Sequence, residues 1–175
     1  MNAPTLHPAP EFEVSGWLNA AGPVSLASLR GRVVAVYAFQ MLCPGCVAHA
    51  LPQAKQLGQH FGRNELAVLG LHTVFEHHEA MNEAALAAFL HEYRIEFPVG
   101  VDRPGEDGPI PRTMERYRMR GTPTLLLFDR QGVLRHSLFG HLPDLQVGAL
   151  IGRLLAEPEP GEACDDGGCR IPGGS

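Results

Sequence analysis

The sequence is low in charge and has no long apolar run. Charged residues make up 19% of its 175 residues, and 19 acidic side chains outnumber 14 basic ones. The net charge of −5 gives no electrostatic reason to expect nucleic acid or an anionic membrane surface as a partner. No apolar stretch reaches the ~18–20 residues that a transmembrane helix needs. We therefore expect a protein or small-molecule partner and no membrane anchor.

The first residues also lack the features of a secretory signal. Residues 1–10 contain three prolines and have neither a basic start nor an apolar core. This predicts a cytoplasmic protein, and structural disulfides are rare in that reducing compartment. The four cysteines of the chain therefore favour redox or metal chemistry over structural cross-links.

Length and composition fit one domain with two extensions. Hydrophobic residues make up 45% of the sequence, as in ordinary globular proteins. We predict an extended, loosely held arm over residues 1–11 and one domain over 12–156. Residues 157–175 are rich in proline, glycine and acidic residues, which predicts a flexible tail.

Apolar runs alternate with helical patterns along the domain. The run 33–39 is almost continuously apolar, which predicts a strand covered on both faces. Further strands are predicted at 12–18, 65–71, 97–101, 124–128 and 134–139. Helices are predicted at 44–61 with a kink at Pro52, at 82–93, at 111–117 and from 142 onward. This alternation indicates an α/β fold with a mixed sheet.

The most informative stretch joins the strand 33–39 to the first helix. It contains the dithiol motif Cys43-Pro44-Gly45-Cys46. Pro44 suits the first helical position, which places Cys43 at the N-cap. Unpaired N–H groups and the helix dipole favour a thiolate there, so the motif predicts redox chemistry. Two merely buried cysteines, or half of a zinc site, are the alternatives that the residues leave open.

Several segments together resemble the thioredoxin superfamily. They are the dithiol motif, the stretch Gly-Thr-Pro-Thr-Leu-Leu-Leu-Phe at 121–128, and the final hairpin and helix. The segment 26–34 and the extra helix at 82–93 resemble the TlpA/ResA-like, redoxin branch. The resemblance covers roughly residues 12–156, and it implies a three-layer α/β/α sandwich with a mixed central sheet and an inserted helix.

The resemblance also implies an activity. A thiol-disulfide oxidoreductase of this type acts on protein or small disulfides, or exchanges electrons with a reductase, and needs no cofactor beyond its own redox-active disulfide. Cys43 would be the nucleophile and Cys46 the resolving thiol. Glu76 matches the acid that this branch places near the cysteines, which makes it the candidate proton relay. No oligomeric state is implied.

The family docks extended substrates beside a cis proline that faces the cysteines. The residues of this chain that match that surface are Leu42, Pro44, Thr122 and Pro123. Leu42 departs from the family, which usually has tryptophan before the first cysteine.

Two other functions stay open at the level of sequence. A peroxiredoxin-like peroxidase has a related layout, and a low-pKa thiolate attacks peroxides. Such enzymes have a threonine three positions before the reactive cysteine, whereas this chain has Gln40. A non-enzymatic thiol or metal-binding module is the third interpretation, although the spacing of the histidines matches no metal motif. His72, His77, His78 and His91 are expected to be exposed or capping residues.

The tail carries a second cysteine pair, Cys164 and Cys169. It is either an auxiliary redox pair that exchanges electrons with Cys43 and Cys46 or with a partner, or a pair of incidental thiols. The neighbouring Asp165 and Asp166 raise thiol pKa values by like-charge repulsion. The pair is therefore better suited to being attacked than to attacking.

Overall fold

The structure is a computed structural model and describes residues 7–158. Its six strands form one sheet in the order β1-β4-β3-β2-β5-β6. The strands are β1 (Val14–Leu18), β2 (Val33–Phe39), β3 (Leu66–His72), β4 (Val99–Asp102), β5 (Thr124–Phe128) and β6 (Leu134–Phe139). Strands β2, β3 and β4 are parallel, and the other three are antiparallel to their neighbours. The sheet is mixed, as predicted.

The helices lie on both faces of the sheet. They are α1 (Leu51–His60), α2 (Glu83–Glu92), α3 (Arg112–Arg116) and α4 (Asp144–Ala156), with a 3-10 turn at Ala27–Leu29 and a π-helix at Cys46–Ala50. Helices α1 and α4 pack on one face, and the 3-10 turn and α3 pack on the other. The three-layer α/β/α sandwich is therefore confirmed.

Strand β2 is central because both of its faces are apolar. All seven of its residues are buried. Tyr37 faces the cluster that contains Ala54 of α1 and Ile151 of α4. Val36 faces the opposite cluster, which contains Met114 of α3. Each face removes aliphatic and aromatic side chains from water, and this burial is the main stabilising term of the domain.

The inserted helix α2 begins at the predicted cap. The Asn82 side chain accepts a hydrogen bond from the N–H of Ala85 at 3.0 Å. Leu86 and Leu90 pack against Phe39 at the end of β2. The inserted helix thus closes the core next to the cysteines.

The predicted kink at Pro52 takes the form of a widened turn. The N–H of Leu51 bonds to the carbonyl of Cys46, five residues back, which defines the π-helix. Pro52 follows at once and has no N–H to donate. The irregular backbone bonding therefore lies between the cysteines and α1.

Part of the predicted arm is anchored rather than loosely held. The N–H of Ala9 donates to the carbonyl of Gly132 at 2.9 Å. The Glu11 carboxylate accepts from the N–H groups of Leu26 and Ala27 at 2.7 and 2.8 Å. Glu11 thereby satisfies donors at the start of the 3-10 turn, a role that composition does not reveal. Within residues 7–158, no helix is both long and apolar enough to span a bilayer.

Candidate functional site

The dithiol lies at the carboxyl end of β2, where open α/β sheets commonly place their chemistry. The helical backbone begins at Pro44. The Cys43 carbonyl accepts from the N–H groups of Cys46 and Val47 at 3.0 and 3.1 Å. The Cys43 Sγ also accepts from the Cys46 N–H, at 3.3 Å. Cys43 therefore caps the first helical turn with both its carbonyl and its sulfur, which confirms the predicted N-cap position.

The two sulfurs are adjacent but differ in environment. Both cysteines are free thiols, Cys43 half-buried and Cys46 0% exposed. The Cys46 Sγ donates to the Cys43 Sγ at 2.6 Å. Burial, and then the bond to Cys43, raise the pKa of Cys46 to about 12, against opposing hydrogen bonds from Gln40 and Thr122. Cys46 therefore keeps its proton and directs it at the sulfur of Cys43.

The loop before β5 faces the cysteines. The Thr122–Pro123 peptide bond is cis, as the resemblance implies. The Cys43 Sγ lies 3.6 Å from the Thr122 carbonyl oxygen. A Cβ added to Gly45 would lie 3.5 Å from the Pro123 ring, which shows how closely the loop approaches the first helical turn. The expected opposition of Pro123 and the cysteines is confirmed.

Apolar side chains are exposed around the dithiol. Leu42 is 57% exposed, and Pro44 is exposed beside it. Thr122 is half-buried and Pro123 is buried. Leu42 and Pro44 flank Cys43 in sequence, and the Thr122 carbonyl oxygen lies 3.6 Å from its sulfur. The role of these four residues in binding substrate stays a prediction.

The candidate relay Glu76 lies on the loop after β3. Its carboxylate is exposed and accepts from Gln40 Nε2 at 3.5 Å. Gln40 is 1% exposed, and its Oε1 accepts from the N–H of Phe75 at 3.4 Å. Within residues 7–158, the hydrogen-bond partner of Glu76 is thus Gln40 rather than a sulfur. The relay role of Glu76 stays a prediction.

Sequence reasoning missed two histidine arrangements. His49, on the π-helix, stacks on His141 after β6 with ring centroids 4.8 Å apart. The expectation that His72 is exposed or capping is wrong, because His72 is buried at the end of β3. Burial lowers its pKa to about 4, and its Nε2 has no hydrogen-bond partner within residues 7–158. The apolar run of β3, in which nearly every residue is buried, is the signal that would have placed His72 inside.

Two further sequence predictions concern the second cysteine pair and a possible metal site. The pair Cys164 and Cys169 lies outside the described residues. Over residues 7–158, the structure forms no group of three or more His, Cys, Asp or Glu side chains arranged to hold a metal ion. A zinc site built on Cys43 and Cys46 would need two further ligands, and the described part of the chain supplies no such set.

Solved structures of similar proteins have the same fold. A thioredoxin-like superfamily protein is 57% identical, with a TM-score of 0.85 over 87% of this chain and 99% of that chain. A thiol-disulfide isomerase from Corynebacterium glutamicum is 47% identical, with a TM-score of 0.83 over 86% of this chain and 97% of that chain. The predicted thioredoxin-like fold is confirmed.

Sequence relatives include much longer proteins. Protein DipZ of Mycobacterium tuberculosis and of Mycobacterium bovis is 33% identical over 158 residues, which are 87% of this chain and 21% of DipZ. The chain thus spans about a fifth of the length of these curated relatives. The AhpC/TSA family model matches residues 5–137. With its thioredoxin-like sandwich, this match makes the chain a member of the AhpC/TSA family, within the redoxin branch of the thioredoxin superfamily.

Proposed function

We propose that the chain is a thiol-disulfide oxidoreductase in which Cys43 attacks and Cys46 resolves. One observation carries the proposal: the half-exposed Cys43 sulfur accepts hydrogen bonds from both the N–H and the S–H of Cys46 at a helix start. Donors and the helix dipole stabilise a thiolate, which is the reactive form. The 47% identical thiol-disulfide isomerase supports the same reaction class.

The first step is attack on a substrate disulfide. The Cys43 thiolate forms a bond with one substrate sulfur, and the other substrate sulfur leaves and takes up a proton. Leu42 and Pro44 are exposed next to Cys43 in sequence, and the Thr122 carbonyl oxygen lies 3.6 Å from the attacking sulfur. We assign these residues and Pro123 to substrate binding, with a protein disulfide as the expected substrate.

The second step requires Cys46 to lose its proton. Once Cys43 is bound to substrate, its sulfur no longer carries the charge that holds the Cys46 proton. The Cys46 thiolate then attacks the Cys43 sulfur, releases the reduced substrate, and leaves a 43–46 disulfide. We assign the proton transfer to Glu76, because it lies beside Gln40: the Gln40 side chain donates to Glu76, and the Gln40 backbone hydrogen-bonds Cys46. A protein dithiol or a reductase then restores the 43–46 dithiol without any further cofactor.

Paired variants test the assignment. Cys43→Ser is expected to abolish the protein's acceleration of insulin reduction by dithiothreitol, because it removes the attacking thiolate. Cys46→Ser is expected to accumulate a mixed disulfide between Cys43 and insulin, detectable by mass spectrometry without reductant. Circular dichroism of both variants controls for folding. Full insulin turnover by Cys43→Ser would overturn the assignment.

A peroxidase is the second candidate, because the AhpC/TSA family model matches most of the domain. The side chain of Gln40 is bonded to Phe75 and Glu76, so this position does not supply the hydroxyl expected of a peroxiredoxin site. Consumption of hydrogen peroxide by the reduced protein, measured beside insulin reduction, separates the two functions. The cytoplasmic localisation stays a proposal, which fractionation of the source cells would test.

A further inference from the structure

A groove lies at the free edge of β6, next to the site. Its volume is about 390 Å³, and its lining includes Arg118, Arg120, Thr124, Leu138 and Phe139. Strand β6 is the last in the sheet, so within residues 7–158 no strand pairs with its outer edge. Thr124 directly follows the proline that faces the cysteines. Thr124 pairs with Ala38 near the end of β2 and with Phe139 at the end of β6, so the groove lies at the same end of the sheet as Cys43.

The groove has positive charge and an apolar wall. Arg118 and Arg120 are exposed, and among the described residues neither forms an ion pair with a carboxylate. The Arg120 guanidinium lies 5.5 Å from the centroid of the Phe139 ring. Phe139 is 50% exposed. An occupant that complements this surface is acidic and extended, since an open strand edge accepts extended chains.

The chain leaves the described domain beside the same strand. The Glu157 carboxylate accepts from Arg135 of β6 through Nη1 at 2.6 Å and Nη2 at 2.8 Å. The Glu157 carbonyl accepts from Arg130 Nη1 at 2.9 Å. Arg135 and Phe139 are four residues apart on β6, a distance of ~14 Å at ~3.4 Å per residue. The exit point and the groove thus lie at opposite ends of one strand.

The segment that follows has the complementary chemistry. Residues 159–175 contain four acidic residues, one arginine and the cysteines of the second pair. Cys164 lies seven residues beyond Glu157 and reaches up to ~24 Å, while Cys169 reaches up to ~41 Å, at ~3.4 Å per extended residue. The extended lengths from Glu157 to Cys164 and to Cys169 both exceed the ~14 Å that separates Arg135 from Phe139 on β6. Charge, length and starting point all favour this segment as the occupant.

We propose that residues 159–175 dock in the groove and present a Cys164–Cys169 disulfide to Cys43 as an intramolecular substrate. The inference rests on the proposed function of Cys43 and Cys46. Cys43 thiolate attacks one tail sulfur, the tail disulfide breaks, and the other tail sulfur takes up a proton. Cys46 then attacks Cys43 and releases the second tail thiol. The tail gains two electrons and two protons, and the 43–46 pair loses both.

Two-cysteine variants measure docking directly. Cys46→Ala/Cys164→Ala leaves Cys43 and Cys169, and Cys46→Ala/Cys169→Ala leaves Cys43 and Cys164. In glutathione redox buffer, the ratio of intramolecular disulfide to glutathione adduct on Cys43 gives the effective concentration of the tail thiol. A tail that is only tethered gives a millimolar value, and we expect the docked tail to exceed it by about tenfold. Adding Arg118→Glu and Arg120→Glu should lower the effective concentration to the millimolar value of a tail that is only tethered.

Each outcome decides the proposal. An effective concentration that is unchanged by the two arginine reversals at low salt would show a tethered but undocked tail and overturn the inference. The groove would then be assigned to an acidic segment of a partner. The chain ending at Pro158 should keep its insulin reductase activity, which separates this failure from failure of the proposed function. A Cys43 that forms no disulfide even with glutathione would overturn both.

Discussion

Buried polar side chains at the two ends of the sheet differ in their hydrogen bonding. At the end away from the cysteines, the buried Asp129 accepts from the N–H groups of Gln131 and Val133 and from Arg135. At the dithiol end, His72 is buried, and its Nε2 has no hydrogen-bond partner among residues 7–158. The first arrangement stabilises the fold, whereas the second leaves a buried polar atom without a hydrogen bond from the described part of the chain.

The arginines repeat this contrast. Arg135 binds two carboxylates, those of Asp129 and Glu157. Arg118 and Arg120 bind none among residues 7–158. A side chain that is fully bonded within its own domain has little left to offer a partner. We therefore expect the far end to serve stability and the dithiol end to serve the proposed binding and chemistry.

The largest predicted effect concerns the two thiols at the dithiol end. At pH 7 a thiol with a pKa of about 12 is ionised in only ~1 molecule in 10⁵, and burial also excludes reagents from Cys46. Iodoacetamide is therefore expected to alkylate Cys43 faster than Cys46 by at least about a thousandfold. Peptide mapping of the reduced protein after timed quenching measures the ratio. Comparable rates would show that the two sulfurs do not have distinct environments.

The unpaired His72 predicts that the dithiol end is sensitive to acid. Its pKa falls from an ordinary 6.5 to about 4 on folding, so the unfolded chain binds its proton first. Stability should therefore fall as pH drops from about 6.5 to about 4, by up to about 3 kcal/mol at 1.36 kcal/mol per pKa unit. Urea titrations of His72→Leu should show a smaller loss over this range. His136→Leu, at a half-exposed position of β6, is the matched control and should keep the wild-type response.

The smallest predicted effects compare an arginine from each end. Arg135→Ala should lower the free energy of unfolding by about 1–2 kcal/mol and leave insulin reduction unchanged. Arg120→Ala should change stability by less than about 0.5 kcal/mol. It should raise the KM for a disulfide peptide with acidic flanks up to about fivefold, as expected for a surface charge pair. If both variants lost stability and activity alike, the division between the ends would not hold.

Patterns of apolar residues predicted the fold well. Strands β5 and β6 have the predicted bounds, and Asn82 caps α2 as expected. These features depend on local periodicity and local capping, both of which the sequence carries directly. The anchoring of Glu11 at the 3-10 turn was not predicted, because it depends on where the arm crosses the folded sheet.

The features of the site also divide into those that neighbouring residues or family resemblance predict and those that only the folded chain shows. The cap at Cys43 follows from the residues next to it, and the opposing Pro123 follows from family resemblance. The His49–His141 stack and the Gln40–Glu76 bond join residues far apart in sequence, so only the assembled fold shows them. The burial of His72 had a signal in the apolar run of β3, but composition alone assigned the histidine to the surface.

The π-helix Cys46–Ala50 also determines the direction in which the side chains of α1 point around the helix axis. A helix turns by about 100° per residue, so one extra residue in a turn rotates all later side chains by that amount relative to earlier ones. The widened turn lets Cys46 point at Cys43 while Ala54 and Leu57 still face the sheet. The direction of the two sulfurs depends on the backbone before the widened turn, whereas the direction of Ala54 and Leu57 depends on the backbone after it. The turn therefore lets the two orientations differ.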